Sequence, residues 1–91
     1  MKIILTDPFK KDYEKLPKQI QIRTDKQLKF LSENPYHPSL DTKKIHGVID
    51  IWEGRISKDY RFTFKITGDK FIIRRIGLHS ITKKSIKKYF T

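Results

Sequence analysis

The stretch from Ile51 to Ser80, IWEGRISKDYRFTFKITGDKFIIRRIGLHS, decides the architecture. Trp52 and Ile56 point to one side while Glu53 and Arg55 point to the other. Tyr60, Phe62, Phe64 and Ile66 alternate in the same way with Arg61, Thr63 and Lys65. Period-two patterning of this kind makes strands with one apolar and one polar face. Thr67-Gly68-Asp69-Lys70 supplies a tight turn in which Gly68 takes the positive φ that a two-residue loop demands. Phe71, Ile72 and Ile73 open a third, more fully buried strand that runs to Leu78. The pattern predicts a three-stranded antiparallel meander that carries four arginines and ends on a histidine.

Agreement between faces sets the first loop. A two-residue turn at Lys58-Asp59 would pair Ile56 with Arg61 and mix core with charge. A loop of Ser57, Lys58 and Asp59 pairs Ile56 with Tyr60, Gly54 with Phe62 and Trp52 with Phe64. Because a one-residue slip turns every side chain over, the second register is the physical one. It places Arg55 across from Arg61 on the polar face. Like charges opposed across strands destabilise a sheet, and an anion between them removes that cost. Two screened surface arginines are the competing reading.

Ninety-one residues make one domain, residues 1–91, with one modest core. Twenty-one Lys and Arg against ten Asp and Glu leave a formal charge of +11, the footprint of a polyanion partner. Nucleic acid ranks first, an anionic membrane second and an acidic protein third. Ile3-Ile4-Leu5 is too short for a signal-peptide core, and no apolar run approaches the ~18 residues of a membrane span. The absence of cysteine excludes disulfides and thiolate zinc sites and fits a cytoplasmic location. No glycine-rich phosphate loop, metal-ligand spacing or nucleophile elbow is present.

The N-terminal third supplies a partner for the sheet. Lys2 to Thr6 reads as a short strand. Asp7-Pro8 starts a helix, the Asp as cap, and Phe9, Tyr13 and Leu16 form its apolar stripe. Pro17 breaks that helix and opens a second, with Ile20, Leu28 and Leu31 on one side and Asn34-Pro35 at its end. The fold class is therefore α+β: an N-terminal strand and a helical hairpin packed on an antiparallel sheet. Residues 35–47 read as a loop bearing Lys43 and Lys44, and Thr82 to Phe90 as a short basic tail.

With these parts in order, the chain resembles the RelE/ParE superfamily of bacterial toxin–antitoxin toxins over essentially its whole length. The matching segments are LDTKKIHG before the sheet, IWEGRISKDYRFTF across its first two strands and IIRRIGLHS at the end of the third. They are similar to the "kkl.G" approach, "wE.R...dYR..f" core and "vG.H" strand end of the RelE branch.

That branch implies a messenger-RNA endonuclease, usually acting in the ribosome. The ribose 2′-hydroxyl attacks the adjacent phosphate and expels the 5′-oxygen, with no metal or other cofactor. On the motif positions Arg61 would hold the phosphate with Arg55 beside it, and His79 would be the general acid or base, since imidazole titrates near neutrality. Lys43, Lys44, Arg74 and the tail lysines Lys83, Lys84, Lys87 and Lys88 would grip RNA without reading sequence. The resemblance further implies a cognate antitoxin, acidic where it contacts the toxin, and a toxin–antitoxin complex able to bind operator DNA.

Two rivals stand beside this reading: the ParE branch, whose members inhibit DNA gyrase, and a non-enzymatic nucleic-acid-binding module. His37 and His46 read as loop-packing residues, and Trp52, Tyr60, Phe62 and Phe64 as core. Two features conflict with the assignment. Regular pairing from the Gly68-Asp69 turn puts Arg75 across from Phe62 on the core side and Arg74 with Thr63 on the polar face. His79 then points away from Arg61 unless the strand ends or bends near Gly77. The second conflict is Ile81-Thr82-Lys83-Lys84, which stands where many relatives carry an aromatic residue.

Overall fold

The computed structural model describes residues 2–47 and 49–79. Strand β1 (Lys2–Leu5) leads into helix α1 (Asp7–Glu14), helix α2 (Lys18–Glu33) and a 3-10 turn (Pro38–Leu40). Strands β2 (Lys43–Lys44), β3 (Ile51–Arg55), β4 (Tyr60–Thr67) and β5 (Lys70–Leu78) follow. They form one five-stranded sheet in the order β1-β5-β4-β3-β2. The meander and β2 are antiparallel; β1 joins the outer edge of β5 in parallel, so the sheet is mixed.

The register derived from face agreement is the one observed: Trp52 opposite Phe64, Gly54 opposite Phe62 and Arg55 opposite Arg61. The Ile56 N–H donates to Tyr60 O across the three-residue loop at 3.0 Å. Gly68 has φ +59°, as its turn requires. Gly54 is needed for another reason: the Phe62 ring lies across its Cα, where any Cβ would overlap the ring.

Three details differ from the sequence reading. The cap of α1 is Thr6, not Asp7. Its hydroxyl accepts from Phe9 N–H at 3.3 Å and donates to Ile73 O at 2.8 Å, so one side chain starts the helix and fastens it to β5. Lys43 and Lys44 lie on an edge strand, paired with Glu53 and Trp52, where a loop was expected.

The third difference is in β5. Its pairing with β4 shifts between Thr63 and Phe64: Phe64 faces Ile73, but Thr63 faces Arg75 and Phe62 faces Ile76. Arg74 is the extra residue of a β-bulge. Regular pairing would have driven Arg75 into the core beside Phe62. A buried guanidinium needs a partner, whereas an inserted residue lets Phe71, Ile73 and Ile76 all face inward. Arg75 instead donates two hydrogen bonds to Asp12 of α1, Nε at 2.7 Å and Nη2 at 2.9 Å. The same carboxylate accepts from Ile76 N–H at 3.2 Å.

Phe9, Leu31, Leu40, Ile56, Phe62, Phe64, Phe71, Ile73 and Ile76 make the core between the sheet and the helices. Tyr13, Leu16, Ile20, Leu28, Trp52 and Tyr60 pack against its margin, as their spacing predicts. His37 stacks on Phe30 with centroids 4.0 Å apart, a loop-packing role. No described helix is long and apolar enough to cross a membrane.

Candidate active site

The bulge settles where His79 lies. With Arg61 paired to Gly77, positions 77 and 79 share a face with Arg61 and Glu53, the sheet face away from the helices. The expected conflict between His79 and Arg61 is removed by the extra residue at Arg74, five residues before the histidine, rather than by a bend at Gly77.

On that face Glu53 stands between the two residues singled out from sequence. Its Oε1 is 3.7 Å from Arg61 Nε and 3.6 Å from His79 Nδ1. Side-chain exposure is 13% for Glu53, 18% for Arg61 and 42% for His79, so the carboxylate is sheltered and the imidazole is half-buried, with its Nδ1 turned inward. Glu53 supplies part of the anion that two opposed arginines call for. Sequence reasoning left Glu53 out, although the signal was present: it lies two residues before Arg55 on the same strand face, in the WEGR segment.

The β3–β4 loop holds both neighbours of this carboxylate. Arg61 Nη1 donates to the carbonyls of Ser57, Lys58 (3.1 Å) and Tyr60 (2.9 Å). The backbone N–H of His79 donates to Asp59 O at 2.9 Å. Ser57, Lys58 and Asp59 thus fix the arginine by its head and the histidine by its main chain. Thr63, opposite Glu53 on the same face, has a buried Oγ1 with no hydrogen-bond partner among the described residues.

The other expected contacts are scattered. Arg55 is exposed near the end of β3, its Cα paired with that of Arg61, and it also lines a groove beside α2. Lys43 shares the face of Glu53 and lies 3.5 Å from Asp41, whereas Lys44 is paired with Trp52 and belongs to the opposite face. Arg74 lines a separate hollow with Thr6, Pro8, Lys65 and Ile72. Its expected pairing with Thr63 is taken by Arg75. Lys83, Lys84, Lys87 and Lys88 lie outside the described residues. No group of histidine and carboxylate side chains suited to a metal ion occurs among the described residues.

The strand–helix–helix–meander order is matched in known proteins. The family described as "ParE toxin of type II toxin-antitoxin system, parDE" matches residues 3–82. The chain belongs to this toxin family. Its fold is similar to that of RelE in the RelB–RelE antitoxin–toxin complex from Methanococcus jannaschii, with a TM-score of 0.73 and 27% identity. That match covers 97% of this chain and 99% of the other. The YoeB/ParE toxin from Agrobacterium tumefaciens superposes with a TM-score of 0.75 at 18% identity, covering 87% and 99%. YafQ from Escherichia coli gives 0.74 at 15% identity, covering 88% and 94%. No curated protein sequence matches. The RelE/ParE resemblance stands, and with it the α+β fold.

Proposed function

We propose that this type II toxin is an endoribonuclease that cleaves messenger RNA by attack of a 2′-hydroxyl on the adjacent phosphate. The observation that carries the reading is the Glu53 carboxylate held between Arg61 and His79 on the polar face of the sheet. Transesterification needs a proton removed from the nucleophile, charge stabilised on the phosphorane and a proton returned to the leaving 5′-oxygen. A carboxylate, a guanidinium and an imidazole can divide those tasks. Arg61 would bind the phosphate through its fork of donors, assisted by Arg55. Glu53 would accept the 2′-proton. His79, with Nδ1 turned to the carboxylate, would present Nε2 to the leaving oxygen. The separations of 3.6 and 3.7 Å exceed ordinary hydrogen bonds and are of the kind that tighten once substrate is bound.

RelE of Methanococcus jannaschii and YafQ of Escherichia coli have been solved in complexes with RelB and DinJ. By that analogy this chain would bind a cognate antitoxin, acidic in the segment that meets its positive surface. The ribosome is proposed as the setting of cleavage, its RNA held by lysines with no sequence preference.

The family match favours one other reading, a ParE-type toxin that acts on gyrase and leaves RNA whole. Induction without antitoxin, followed by primer extension of cellular transcripts, separates the two. Cuts within translated messages, lost in Glu53→Gln and His79→Ala, are expected. Growth arrest with intact messages and trapped gyrase–DNA complexes would overturn the ribonuclease reading.

A further inference from the structure

Helix α2 carries more than its core face. Ile20, Thr24, Leu28 and Leu31 point toward the sheet, but Gln19, Ile22, Arg23, Lys26 and Phe30 form a second stripe at helical spacing. That stripe walls an open groove of about 490 Å³ whose far side is Arg55 and Ile56 at the end of β3. Among the described residues its lining holds Arg23, Lys26 and Arg55 and no carboxylate.

The cations are placed rather than loose. Arg23 Nε donates to Ile56 O at 2.9 Å, which anchors its guanidinium at the mouth of the β3–β4 loop. Lys26 Nζ lies 5.7 Å from the centroid of the Phe30 ring, which is itself stacked on His37. Ile22, 60% exposed on the same stripe, is an apolar surface with no core to join. Arg55 is the link: it lines the groove while its Cα is paired with that of Arg61. The groove therefore begins beside the phosphate site and runs round the free part of the β3 edge onto α2.

We infer that this groove binds the single-stranded RNA flanking the scissile phosphate, with Arg23 and Lys26 as backbone-phosphate contacts; the inference rests on the ribonuclease reading for its substrate. A positively charged groove that tracks the backbone is the electrostatic half of the recurring design of single-strand-binding surfaces. Residues three apart on a helix have Cβ atoms about 5–6 Å apart, so Arg23 and Lys26 form a short cationic row. The Phe30 ring is occupied by His37 and Lys26, so the groove follows charge and reads no base. An acidic polypeptide would also find cations here, but the continuity through Arg55 to Arg61 favours a strand leaving the scissile phosphate.

The test uses the full-length toxin and 2′-O-methyl oligoribonucleotides, which bind but lack the nucleophile. Affinity is measured by fluorescence anisotropy against oligonucleotide length and salt for wild type, Lys26→Gln and Arg23→Gln/Lys26→Gln. Lys26 is exposed and its side chain makes no main-chain hydrogen bond among the described residues, so the single variant remains informative if the double variant folds poorly. Wild-type affinity should rise from a dinucleotide to a longer oligonucleotide, and that gain should shrink in Lys26→Gln and vanish in the double variant. The slope of log affinity against log salt should fall by about 0.7 for each cation removed. Unchanged slopes and unchanged length dependence in both variants would overturn the inference. Retained RNA affinity with lost binding of poly-L-glutamate would also overturn it and assign the groove to an acidic protein. Should the wild type cleave no RNA while the variants lose the length-dependent gain, the ribonuclease reading falls and the groove remains.

Discussion

Arg61 serves two ends of the site with one guanidinium, closing the β3–β4 loop through carbonyl contacts and facing Glu53 through Nε. As a polar-face arginine it is expected from sequence to be dispensable for folding. The loop carbonyls change that expectation. Arg61→Ala should lower stability by about 1.5–3 kcal/mol, the range for hydrogen bonds from a charged donor, as well as abolish cleavage. A denaturant titration alongside the activity assay checks it; wild-type stability would show that solvent replaces the arginine at no cost. Glu53→Gln keeps the shape and removes the charge, so single-turnover cleavage should fall by roughly two to four orders of magnitude if the carboxylate is the base. A wild-type rate would leave Glu53 only the task of orienting its neighbours. Arg61 and His79 were singled out from sequence by the motif resemblance, and the structure brings both beside Glu53. Glu53 was not legible in the sequence, because a glutamate on a strand's polar face looks like ordinary solvated charge until the register places it between two named partners.

At the scale of elements, the lesson lies in Ile73-Arg74-Arg75-Ile76. The meander, the first loop and both helices follow from period two and period 3.6, since burial enforces each pattern directly. The bulge breaks that rule. Apolar positions at 71, 73 and 76 carry its signature, a step of three in a strand otherwise stepping by two. What completes it is non-local: Asp12 of α1 takes the Arg75 fork and the Ile76 N–H together. Asp12→Ala should therefore cost about 1.5–3 kcal/mol and speed hydrogen exchange at the Ile76 amide more than at the amides of β3. Uniform acceleration would mean that Asp12 stabilises the molecule without holding the bulge. A second link joins the helices, Tyr13 Oη donating to Asp25 Oδ1 at 2.8 Å. That hydrogen bond, aided by partial burial and by the Asp25 charge, raises the phenol above the ordinary tyrosine pKa. A raised folded-state pKa stabilises the protonated form. The advantage of wild type over Tyr13→Phe should hold from neutral pH up to the unfolded tyrosine value of about 10 and shrink above it. Melts at paired pH values test this; an advantage growing above that value would reverse the sign.

For the whole molecule, charge is the dominant property and the one composition shows most plainly. Two partly buried carboxylates, Asp12 and Glu53, are engaged with Arg75 and Arg61, yet the chain retains a formal +11 over 91 residues. Four of its lysines fall in the tail at 83, 84, 87 and 88. Local ion pairs therefore offset only part of the mutual repulsion, which destabilises a small compact state. Added salt screens exposed charges beyond about 8–10 Å, so the melting temperature should rise as sodium chloride is raised from low to physiological strength. A polyanion should act more strongly at low salt, since it binds the folded surface as an organised field. At a hundred times its dissociation constant, a ligand specific for the folded state adds about 2.7 kcal/mol. For a domain of this size each kcal/mol moves the midpoint by about 4–8 °C, so heparin or mixed-sequence RNA should raise it by more than about 10 °C. The gain should disappear at high salt as counterion release loses its force. A midpoint indifferent to both salt and polyanion would show that the positive charge is balanced within the fold. The surface would then have no electrostatic preference for nucleic acid, and the groove on α2 would lose its reason to be cationic.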